Sequence, residues 1–138
     1  MRKRTQAREF ALQVLYQMEM THDKHDVALD NFWSSRDEEV DEEVKIFTAN
    51  LVKGTSENVT EIDDKITLYA TNWKLERMAA VDRNVLRMSC FELIFREDIP
   101  PKVSINEAVD LAKKYSGIEA GKFVNAILDK VKLEKHGK

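Results

Sequence analysis

Four cations crowd the start of this chain: Arg2, Lys3, Arg4 and Arg8. They fall where a helix begins, because Thr5 opens a stretch whose apolar residues Ala7, Phe10, Ala11, Val14, Leu15 and Met18 recur at the spacing of one helix face. Cations at a helix N-terminus are unfavourable, since the peptide dipoles already place positive charge there. An anion reverses the sign, because free amides and guanidinium groups at a helix start together make a phosphate site. A solvated basic tail would give the same pattern. Lys113, Lys114 and Lys122, if folded nearby, would extend the patch into a groove. Tyr115 and Phe123 at its edge would offer rings on which unpaired bases stack. Phe123 also fits ordinary core packing, given its spacing with Ile127 and Val131.

Other chemistry has little to stand on. His22, Asp23, His25 and Asp26 share a short polar stretch without further organised ligands, so a hydrated loop is expected rather than a metal site. No P-loop, dinucleotide-binding glycines or Gly-x-Ser-x-Gly elbow occurs, and neither a cofactor nor catalysis is expected. Glu92 lies in an apolar run and is expected to be balanced by Arg96 or a backbone partner rather than used as a base. Glu76, Arg77, Asp82, Arg83 and Arg87 form a dense mixed-charge strip, which suits either solvent or a protein partner.

Several helices must position these residues. After the first, a short one carrying Val27, Leu29, Phe32 and Trp33 is predicted, and then the acidic run Asp37 to Glu43 favours the positive end of a third, marked by Val40, Val44, Phe47 and Leu51. A break near Asn58 to Thr60 separates a fourth, with Thr60 as its expected cap and Ile62, Ile66 and Tyr69 on its face. Leu75 to Phe95 is apolar around most of its circumference and reads as the most buried helix. Pro100-Pro101 stops any helix arriving from upstream, and Ser104 with Glu107 reads as a capping box for Ile105 to Tyr115. Gly117 joins that helix to a last one, Ala120 to roughly Leu133, and Glu134 onward reads as a loose tail. The expected fold is all-α: a compact single domain of six to seven helices, arranged as two three-helix sub-bundles.

Composition agrees. Four glycines, two prolines and no long Val/Ile/Thr alternation disfavour a sheet. At 138 residues a chain buries roughly two thirds of its unfolded surface, so no disulfide or metal is needed for stability. The single cysteine, Cys90, points to a reduced, cytoplasmic setting, and no apolar stretch reaches secretory or membrane-spanning length. The formal charge of −3 conceals an asymmetry: residues 22–64 hold thirteen acids and four bases, a net −9, which leaves +6 elsewhere.

Arg4 to Tyr16, with Ala7-Arg8-Glu9, Ala11-Leu12-Gln13 and Leu15-Tyr16, resembles the opening of the NusB transcription antitermination factors. Val85-Leu86-Arg87, Phe91-Glu92-Leu93, Ile99-Pro100, Val103 to Ala108, Leu111-Ala112-Lys113 and Lys122 to Asp129 resemble that family's C-terminal half. The resemblance implies a non-catalytic protein of two small helical bundles that binds the single-stranded boxA element of ribosomal RNA transcripts. It implies action with NusE, a ribosomal protein, and with other Nus factors on RNA polymerase. Arg4 and Arg8 carry over from the family's arginine-rich motif, and Arg2 and Lys3 by charge; Thr5 and Gln6 stand where arginine can occur. Glu119, Lys122 and Phe123 match a turn that the family places beside RNA, with Lys114 added to that surface, and Glu76, Asp82 and Arg83 carry over to the partner surface. Four phosphate contacts would give a salt slope of roughly −3, at about −0.7 each on single strands.

The same fold also resembles the RNA-binding domain attached to some ribosomal RNA cytosine methyltransferases. Here the chain ends without a cofactor-binding domain, which favours a free-standing factor. A helical adaptor that binds protein and never RNA is a third reading, and glutamate at Arg4 and Arg8 would separate it. A homodimer covering the basic groove is compatible with the same residues.

Overall fold

Apolar residues three and four apart build each helix, and the computed structural model, which describes residues 2–136, arranges the helices in two units, one ending at Glu57 and the other beginning at Asn58. Seven α-helices and no strand occur among the described residues.

The first unit holds α1 (Lys3–Thr21), α2 (His25–Ser34) and α3 (Glu42–Glu57). Helix α1 presents Ala7, Phe10, Ala11, Val14 and Leu15 to a core completed by Phe32, Val44, Phe47, Leu51 and Val52. His22 closes α1 in the left-handed region, at φ 62°, with its amide on Met18 O at 2.8 Å. The rings of Phe10, Phe32 and Trp33 meet edge to face with centroids 5.0 to 5.6 Å apart, and the Arg36 guanidinium lies 4.6 Å from the Phe10 centroid. Thr48 is fully buried, and its hydroxyl donates to Val44 O at 2.7 Å and lies 3.3 Å from Ala7 O, which links α3 to α1.

The second unit holds four α-helices, one more than the three-helix group expected: α4 (Val59–Tyr69), α5 (Ala80–Phe95), α6 (Pro101–Ser116) and α7 (Ile118–His136). The predicted helix from Leu75 to Phe95 is interrupted. A 3₁₀ turn at Leu75–Arg77 gives way to extended backbone at Met78 and Ala79 before α5 starts. Arg83 stabilises the interruption by donating from Nη1 to Leu75 O at 3.1 Å and Met78 O at 2.9 Å, so carbonyls freed by the break keep partners. Thr60 lies inside α4, where Asn58 occupies the cap position, so it is not the cap.

The expected capping box is also replaced. Helix α6 begins four residues earlier, because Pro101 at its first position lacks only an amide that would have no helical partner there. Ser104 therefore sits within the first turns, buried, and its hydroxyl donates to Glu92 Oε1 at 2.8 Å. That bond joins α6 to α5, while Arg96 makes a bidentate pair with Asp98 at 2.9 and 2.8 Å. Gly117 joins α6 to α7 at φ 98°, as the sequence suggested. Gly121 allows the two helices to approach closely: a Cβ there would stand 2.8 Å from Lys113 Cγ.

The predicted loose tail is not one as far as it is described. Helix α7 runs to His136; Glu134 pairs with Lys65 and accepts from the Tyr69 hydroxyl, and Lys135 lies 3.6 Å from Glu97. Lys65 and then Tyr69 hold the carboxyl of Glu134 below the usual carboxylate pKa range. The last two residues of that expected tail lie outside the described residues.

Cys90 is fully enclosed in α5, and burial, with a smaller contribution from the Asp63 charge, pushes its thiol up to about 12. Because the folded value exceeds the ordinary one, the neutral thiol favours the folded state up to about pH 9, and that contribution fades as pH rises towards 12. At pH near 8 a thiol-reactive disulfide should label the native protein only as fast as α5 opens, and denaturant should make labelling prompt. Rapid labelling without denaturant would contradict the burial.

Candidate nucleic-acid interface

The start of α1 is electropositive by construction. Arg2 occupies the N-cap position without a side-chain hydrogen bond to the helix, and the first turn holds no acid. The helix therefore presents its uncapped end with cations around it. Packing then divides those cations. Arg2, Lys3 and Arg4 are exposed, whereas Arg8 retains only 3% of its surface. The guanidinium carbons of Arg4 and Arg8 lie 4.5 and 5.3 Å from the Phe47 ring centroid, so one aromatic face of α3 attracts both. Arg8 is thus a buried member of the first unit's core, and among the described residues the exposed cations at this end number three. Lys3 is held by Asp41 and Glu43, each 3.4 Å away, and both raise its pKa above the ordinary lysine value.

A separate groove lies within the second unit. Trp73, Arg77, Met78, Ala79, Asp82, Ser116, Glu119, Ala120 and Phe123 enclose about 290 Å³. Met78 and Ala79 contribute because the chain is extended there, and Glu119, Ala120 and Phe123 belong to the first turns of α7, which Gly117 aims. Phe123 is half-buried, with the exposed Trp73 edge-on to it at 6.0 Å and 72°. One polar atom of the groove has no internal partner: Asp82 Oδ1 is buried without a hydrogen bond. A carboxylate oxygen in that position accepts hydrogen from a cation or an amino group, and the two rings offer a flat apolar wall.

The structure brings together residues that the sequence had assigned to different surfaces. Asp82, from the expected partner set, shares the groove with Glu119 and Phe123, from the expected RNA set. Lys122 is exposed beside it, 3.7 Å from Glu119. Lys114 is exposed on the last turn of α6, with Nζ 5.3 Å from the Tyr115 ring centroid. Glu76 is exposed on the 3₁₀ turn, whereas Arg83 turns its guanidinium onto the chain's own carbonyls. Arg77, from the mixed-charge strip, lines the groove as well, and so does Trp73, which no sequence pattern assigns to either surface. A tryptophan placed in a bend, outside every apolar stripe, was the available signal for Trp73.

The sequence pattern of the NusB family matches residues 5–132. The chain belongs to the NusB family. Among its NusB relatives, the transcription antitermination protein NusB of Anaeromyxobacter dehalogenans is 50% identical over 129 residues, covering 94% of this chain and 89% of that one. The solved NusB of T. maritima is 37% identical with a TM-score of 0.84, covering 98% and 93%. A crystal structure of antitermination factors NusB and NusE in complex with dsRNA contains a chain 29% identical to this one, with a TM-score of 0.86 and coverage of 97% and 98%. The Anaeromyxobacter relative and the NusB of the NusE complex are named for transcription antitermination and not for a catalytic activity. No helix among the described residues of this NusB-family chain is long and apolar enough to cross a membrane.

Proposed function

We propose that this chain is a transcription antitermination factor that acts as one RNA-binding helical domain. It takes single-stranded boxA-like RNA of ribosomal transcripts together with a NusE partner, and joins other Nus factors on RNA polymerase. The likeness along nearly the whole chain to a NusB solved with NusE and RNA carries this reading. Two features of the molecule support it. Exposed cations at an uncapped helix start suit phosphates, which position a nucleic acid without reading its sequence. The groove of Trp73, Asp82, Glu119 and Phe123 combines a flat apolar wall with an unpaired acceptor, which suits either a base edge or a cationic side chain of a protein. A partner that extends the surface raises affinity without any single contact being strong.

The test is a titration of fluorescent single-stranded RNA carrying a boxA-like element, against a scrambled control, with this protein alone and with NusE. Preferential binding of the boxA-like strand, strengthened by NusE, is expected. Equal binding of both strands would reduce the protein to a basic helical bundle. No binding even with NusE would favour the protein-only adaptor.

A further inference from the structure

Lys3 is exposed, yet two of the chain's own carboxylates already occupy it. Its Nζ lies 3.4 Å from both Asp41 Oδ2 and Glu43 Oε2. Asp41 is fixed in place, because its other oxygen accepts the Glu43 amide at 2.8 Å and so ties the start of α3. The amide of Glu43 and then Lys3 hold the Asp41 carboxyl below its ordinary range, so it is charged at any physiological pH. Asp41 and Glu43 end a run in which every residue from Asp37 to Glu43 except Val40 is acidic. The run therefore brings carboxylates to the helix end where phosphate would bind.

We infer that Asp41 and Glu43 are affinity-setting residues for the nucleic-acid surface, standing in for phosphate at Lys3 until an RNA strand displaces them. This rests on the RNA reading proposed above. A phosphate approaching Lys3 must replace two ion pairs and enter the field of the neighbouring acids within a screening length of about 8 Å. That cost is the same whatever bases the strand carries. The acids consequently lower binding to every anionic chain by one factor and leave the ratio between sequences unchanged. Discrimination then falls to base contacts rather than to charge.

The test measures the affinity of the double variant Asp41→Asn/Glu43→Gln for the boxA-like strand and for oligouridylate, in the natural background and in Lys3→Ala. Asparagine keeps the oxygen that accepts the Glu43 amide, and unchanged thermal melting would verify an intact fold. Both strands should bind about two- to tenfold more tightly to the variant at low salt, by the same factor. In Lys3→Ala most of that gain should vanish, because its mechanism is the pairing with Lys3. RNA binding by the natural protein that is unchanged in the variant would overturn the inference and leave the RNA reading intact. A gain that persists in full without Lys3 would overturn it too, by assigning the effect to the distant acidic field. Absence of RNA binding by natural protein and variant alike would overturn the RNA reading, and the inference with it.

Discussion

Glutamate at position 8 is expected to destabilise the first helical unit strongly, and not merely to weaken nucleic-acid binding. Arg8 is buried, with its guanidinium against the Phe47 ring in the core of α1 and α3. A carboxylate there would lose its hydration and face the negative side of the same ring. Leaving an uncompensated charge in such a place costs about 3–5 kcal/mol, a large share of the stability of a small domain. A fall in melting temperature of roughly 10–20 °C follows for a chain of this size. Thermal unfolding followed by circular dichroism checks it, and an unchanged melting temperature would mean that Arg8 is not held as described. The result bears directly on function. Reversing Arg4 and Arg8 together, the obvious experiment from sequence, would confound loss of contact with loss of fold.

Arg2 and Arg4 provide the clean experiment, because both side chains are exposed. With Arg8 inside the core, the helix start offers three phosphate contacts rather than four, and the salt slope for single-stranded RNA from this end should be about −2 rather than −3. Arg2→Glu/Arg4→Glu should bring it to about −0.7. The same counterion release makes the affinity loss about 50-fold near 50 mM salt and about tenfold near 200 mM. The measurement is RNA affinity across that salt range for the natural protein and the variant, with melting curves alongside. Identical slopes would remove the α1 end from the RNA surface. A variant that loses RNA but still binds NusE would place phosphate binding and partner binding on different residues.

Much of the fold was legible because it is local. The apolar spacing of α1, the joint at Gly117 and the start of α3 at the end of the acidic run all follow from interactions within a few residues. The errors share one cause. Ser104 and Glu107 have the spacing of a capping box, but the alternative partner of Ser104 is Glu92, which no local pattern announces. Leu75 to Phe95 keeps a helical apolar pattern through Met78 and Ala79, yet the chain breaks there and Arg83 turns back to hold the freed carbonyls. Glu134 looked like part of a tail until Lys65 and Tyr69, more than sixty positions away, supplied its partners.

That this protein is helical, that its first helix starts among cations and which family it resembles all follow from residue types at fixed short spacings. Tertiary structure decided which of those cations face solvent. Arg4 and Arg8 differ by one helical turn and both lie against Phe47, but only Arg8 is buried, and only packing of α3 on α1 could settle that. Packing likewise placed Asp82 in one groove with Glu119 and Phe123, and set Asp41 and Glu43 against Lys3. Contacts between residues far apart in the chain depend on how helices stack, and helix stacking is not encoded at the spacing of a single turn.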